Sequence, residues 1–173
     1  MSAEVSTPTA STSGGSAGGP DSPEFFNPED FEKYCYPFGI TQVSYIDKIA
    51  QGQIKINGIF EKSSSKRHEL DLQKKLLEEL EQQFETLSQT PDDGLDTVQF
   101  ELETEREALA KLEEELQKLS DEAMVLIGKN MGYKKTLRGH LGMVPSEEGE
   151  VPKLGDYPGY TECYEYLFAV FSQ

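Results

Sequence analysis

The chain is 173 residues long with 32 acidic and 16 basic side chains, a formal net charge of −16, and 36% of it is hydrophobic. At roughly 100–200 residues per domain this describes one modest core plus tails, and no run approaches the roughly 18 apolar residues of a membrane-spanning helix. The negative balance argues against nucleic acid as a partner, because most of that affinity comes from neutralising phosphates.

The first 32 residues hold no Lys or Arg, unlike a secretory signal with its positive start or an Arg-rich presequence. An intracellular, cytoplasmic location is expected, with the nucleus left open. Cys35 and Cys163 lie far apart, each without a second cysteine nearby. That gives neither a disulfide framework nor a metal knuckle, and core thiols in a reducing compartment are expected.

Residues 1–22 are almost wholly Ser, Thr, Gly, Ala and Pro, too poor in apolar side chains to repay ordering, so a disordered tail is expected. At Asn27-Pro28-Glu29-Asp30 the composition switches: Asn27 suits an N-cap and Pro28 the first helical position, predicting a short helix that Pro37 ends. From Thr41, Val43, Ile46, Ile49 and Ala50 keep helical spacing up to Gly52. Beyond it, Ile54 and Ile56 alternate with polar residues before Asn57-Gly58, which predicts a small hairpin; one helix running through both glycines is the competing reading. A helix followed by Gln51-Gly52, then Ile54, Ile56 and Asn57-Gly58, resembles the second half of the S4-type RNA-binding fold, whose Arg-rich first helix has no counterpart here. Residues 23–62 are taken as the N-terminal part of a small base.

The middle carries the strongest pattern. Leu70, Leu77, Leu80, Phe84 and Leu87 keep the alternating three-and-four spacing of a heptad seam, with Gln73 its polar member and Leu72 and Leu76 beside it. The spacing resumes at Leu95 through Val98, Leu102, Leu109, Leu112, Leu116, Leu119, Ala123 and Leu126, broken only by Glu105, and Gly128 is placed to stop the helix. Thr90-Pro91-Asp92-Asp93-Gly94 must interrupt the helix, since proline disfavours helical geometry in the residue before it. A short break usually joins antiparallel neighbours, so residues 66–127 are predicted to form a coiled-coil hairpin turning near 89–94. A parallel homodimer kinked at Pro91 is the alternative that heptads leave open.

Residues 128–173 complete the base. Lys129, Lys134, Lys135 and Arg138 lie in a stretch without acidic residues, expected as a basic loop at 129–140 that contacts phosphate or balances the acidic hairpin. An irregular acidic loop from Pro145 to Pro158 follows, then Tyr160, Tyr164, Leu167, Phe168 and Phe171 at helical spacing. Neither aromatic-rich end can bury itself alone, so both should meet at the base of the hairpin. The fold class expected is mainly α: a long coiled-coil hairpin projecting from a small helical or α+β base formed by both chain ends.

His68 and His140 are not near a cysteine in sequence, and no His-x-x-x-His, Cys-x-x-Cys or calcium-loop spacing occurs. No catalytic residue, cofactor or metal site is assigned, and the chain is not read as an enzyme. From Lys66 to Ile127 there are 18 acidic and 7 basic residues, a local charge of −11. The expectation is a non-catalytic interaction or structural subunit that binds a protein partner through the coil, with Leu72, Leu76 and Phe100 as apolar contacts off the seam. Asp92, Asp93 and Asp96 gather at the tip, and in architecture this finger resembles the acidic-tipped coiled-coil transcription factors that enter the secondary channel of RNA polymerase. That resemblance implies the alternative, in which the tip carboxylates regulate a polymerase or another basic or metal-containing channel.

Overall fold

The computed structural model describes residues 27–90 and 94–173. The expected tail of residues 1–22, the aromatic pair Phe25 and Phe26, and the turn residues Pro91, Asp92 and Asp93 lie outside the described residues. The described residues form four helices, α1 (Pro28–Cys35), α2 (Ile40–Ser88), α3 (Leu95–His140) and α4 (Tyr160–Phe171), plus one 3-10 turn at Leu154–Asp156. No strand occurs among them, so the base has no β component there.

Helix α1 starts as its sequence dictates: the Asn27 side chain accepts a hydrogen bond from the Glu29 amide at 3.1 Å, with Pro28 in the first turn. Helix α2 then runs 49 residues without interruption, about 74 Å at 1.5 Å per residue. Gly52 does not stop it, and the hairpin expected at 53–60 is helix, as is the stretch that resembles the S4-type fold. The reason lies in packing. Ile46, Ile49, Ile56, Ile59 and Ser63 are buried at three-and-four spacing straight through both glycines. Burying each isoleucine is worth about 1.5–3 kcal/mol, which outweighs the roughly 1 kcal/mol that each helical glycine costs.

Gly128 likewise fails to end α3, which spans 46 residues to His140. The segment 129–140 expected as a basic loop is therefore the last three turns of this helix. Buried Asn130 and Leu137 continue the inward-facing stripe beyond Ala123. The effective stop is Gly142, whose positive φ of 68° permits a Schellman closure: the Met143 amide donates to the Arg138 carbonyl at 2.9 Å and the Gly142 amide to Gly139 at 3.2 Å.

The two long helices pack together along their length. Lys66 pairs with Glu115, Lys74 with Glu113 and Arg106 with Glu81, while Gly52 meets Asn130 and Gln42 reaches the His140 carbonyl. Partners that come later on one helix come earlier on the other, so α2 and α3 run antiparallel. Every expected seam position from Leu70 to Leu126 is buried or half-buried, yet only Leu80, Leu102 and Ala123 are fully buried among them.

The hydrophobic core gathers at one end. It takes Cys35 from α1, Phe38 from the following turn, Ile46, Ile49 and Ala50 from α2, Leu137 from α3, Leu154, and Tyr160, Cys163 and Leu167 from α4. Cys35 and Cys163 are bonded to each other, with Cα atoms 4.8 Å apart. They are not free thiols, so the cysteines lend no support to a reducing compartment. No helix among the described residues is long and apolar enough to cross a membrane.

Candidate partner-binding surfaces

Two helices can cover only one stripe of each other, and the remaining circumference faces water. Leu72 is 53% exposed and Leu76 41%, and Phe100 on α3 is 70% exposed. All three lie off the seam, on the part of the helix pair remote from the core. Asp96 is exposed in the first turn of α3, where a carboxylate favours the positive end of the helix dipole. Asp92 and Asp93 lie outside the described residues, so the expected tip is represented by Asp96 alone.

Charge divides the helix pair sharply. Against the net −11 of residues 66–127, the core-proximal segments 40–65 and 128–144 together hold seven Lys or Arg and two acidic residues, a net of +5. The described ion pairs, Lys66–Glu115, Lys74–Glu113, Arg106–Glu81 and Lys118–Glu114, all lie outside those segments. None of them includes Lys129, Lys134 or Lys135. Lys48 instead stands over the rings of Tyr45 and Tyr133, at 5.3 and 5.6 Å from their centroids.

Two concavities flank this basic band. A crevice of about 190 Å³ lies between the helices beside Gly52, Asn130 and Tyr133, bordered by Lys48, Lys55 and Lys129. Asn130 is buried there; its Nδ2 donates to the Ile49 carbonyl at 3.2 Å, while its Oδ1 has no partner among the described residues. A larger groove of about 710 Å³ separates the outer face of α3 from the loop that follows it. Its walls are Met131, Met143, Pro145, Val151 and Pro152, with Lys134, Lys135 and Arg138 above them. Arg138 pins the loop in place, its Nε donating to the Pro152 carbonyl at 2.8 Å.

This groove was missed by sequence reasoning. The cations were visible as an acid-free run, but Met131, Met143 and Val151 gave no periodic signal until the loop folded back along the helix.

Burial raises the Asp47 carboxyl above its ordinary value, against the lowering effects of the Gln51 hydrogen bond and of Lys48. Burial also pushes the Tyr160 phenol up to about 12, reinforced by Tyr164 and opposed by Arg138. His68 is exposed at the surface of α2, and His140 stacks on Tyr45 with centroids 5.5 Å apart. No group of three or more His, Cys, Asp or Glu side chains that could hold a metal occurs among the described residues.

Comparison with protein-family models, with curated proteins and with solved structures found no match for this chain.

Proposed function

We propose that this chain is a non-catalytic interaction or structural subunit of a larger protein assembly. In this reading α2 and α3 act as a coiled-coil hairpin that projects from a base made by both chain ends, and the flank of the hairpin docks a protein partner. The observation that carries it is the exposure of Leu72, Leu76 and Phe100 on helices whose periodic leucines face each other. Large apolar side chains held outside the seam by rigid helices are the anchors that a helix-in-groove or helix-on-helix contact uses.

The test is site-specific photo-crosslinking. A photoreactive phenylalanine analogue at position 100 should give discrete protein adducts in extracts of the source cells, and Leu72→Ser with Leu76→Ser should remove them while leaving helicity and melting temperature unchanged. Adducts that survive those substitutions in a folded chain, or an absence of discrete adducts, would overturn the reading. Asp92→Asn with Asp93→Asn leaves the adducts intact under this proposal, whereas under the acidic-finger alternative the same substitutions abolish activity.

A further inference from the structure

We propose that the groove between α3 and the loop after it is a second docking site, and that its occupant is a short acidic peptide of a protein partner with apolar anchor residues. Its floor is apolar, and part of that floor is open to solvent: Met131 is 65% exposed and Val151 57%. Methionine walls adapt to differently shaped anchors. Above the floor stand Lys134, Lys135 and Arg138, spaced to fall within little more than one helical turn. None of them is in a described ion pair. Three cations over an apolar trough suit a segment with several carboxylates beside large apolar side chains, more than a lone carboxylate on a small amphiphile.

The surroundings select for a short occupant. Glu147, Glu148 and Glu150 are exposed on the same loop, so an extended polyanion such as nucleic acid, or an anionic membrane surface, would be repelled as soon as it passed the groove. A second copy of the chain brings a charge of −16 against −16, which opposes association through this site. A short peptide that keeps its carboxylates over Lys134, Lys135 and Arg138 meets less of the first penalty than a polyanion does, and it brings far less charge than a second copy. The acidic part of α3 begins at Glu122, 13 residues before Lys135, or about 20 Å along the helix. That is more than twice the screening length of about 8 Å at physiological salt.

The experiment is fluorescence anisotropy on the full chain with a set of labelled nine-residue peptides that pair two Leu or Phe residues with three Asp or Glu at every spacing. Counterparts carry Lys in place of the acids, or Ser in place of the anchors. At least one acidic-apolar peptide should bind, with an affinity about tenfold or more above both of its counterparts, each tenfold corresponding to 1.4 kcal/mol. Lys134→Glu with Lys135→Glu should cost about tenfold or more, and Val151→Asp, which leaves the helix untouched, should do the same. Leu72→Ser should have no effect, which separates this site from the flank of the long helices. The proposal is overturned if no acidic-apolar peptide binds, if the substitutions leave binding unchanged in a folded chain, or if oleate, phosphatidylserine vesicles or single-stranded DNA bind the groove in preference to every peptide.

Discussion

Replacing Gly52 by alanine tests how the two long helices meet. In an isolated helix the change would stabilise by about 1 kcal/mol, because glycine has the greater conformational freedom to lose. Here a Cβ at position 52 would stand 2.3 Å from Asn130 Oδ1 and 2.9 Å from its Cγ. Asn130 is displaced and forfeits its 3.2 Å hydrogen bond to the Ile49 carbonyl, and the helices are pushed apart at this crossing. Overpacking costs about 1–3 kcal/mol, and a buried amide left unsatisfied about another 1–3 kcal/mol. After the helix-propensity gain the net is a destabilisation of about 1–5 kcal/mol, a drop in melting temperature of at least about 2 °C for a chain of this size.

Gly58, in the same helix, has nothing within 4 Å of its added Cβ, so Gly58→Ala should stabilise by up to about 1 kcal/mol. Urea denaturation followed by circular dichroism gives both changes under identical conditions. Adding Asn130→Ala to Gly52→Ala should recover at least about 1 kcal/mol as coupling between the two sites. If Gly52→Ala stabilises the protein as much as Gly58→Ala does, the two long helices do not approach each other closely where Gly52 faces Asn130.

Two further outcomes follow from the core. Cys35→Ser with Cys163→Ser should cost about 2–5 kcal/mol, since the bond closes a long loop across 128 residues of sequence. Hydrogen exchange should show the loss first in α1 and α4, and a melting temperature indifferent to reductant would contradict the bond. Tyr160, raised from 10.0 to about 12 by burial, keeps its proton in the folded chain between those pH values while the unfolded chain releases it. Its contribution to stability is complete below pH 10 and is lost as the pH climbs towards 12. In an absorbance titration in the near ultraviolet, where tyrosinate absorbs, Tyr160→Phe should remove the last tyrosine to ionise and leave the earlier steps in place; an unchanged last step would refute the assignment.

Much of the helical architecture was legible because it rests on period alone. The leucines from Leu70 to Leu87 and from Val98 to Leu126 mark the faces that the structure turns inward, and the Asn27 cap and the span of α4 followed local chemistry. Glycine misled. Gly52 and Gly128 look like helix stops, yet the first is needed where Asn130 crosses and the second faces open space. A clue was present after Gly128, since Leu126, Asn130, Tyr133 and Leu137 keep the three-and-four spacing. The polar Asn130 disguised it. Cys35 and Cys163 belong to the two chain ends expected to meet at the base, so their nearness was within reach of the pattern, whereas the bond between them depends on Cα atoms 4.8 Å apart with facing side chains, which no sequence spacing reports. The groove was hidden for the same reason, because its two walls become neighbours only when Arg138 anchors the loop.

The bond between Cys35 and Cys163 also determines where mechanical load travels. Tension applied through residues before Cys35 and after Cys163 passes directly from one sulfur to the other, so the loop between them, which contains both long helices, lies off the load path. If neighbouring proteins in an assembly pulled on the two flanks, the helix pair would be carried as slack cargo, and it would bear force only after the bond was reduced.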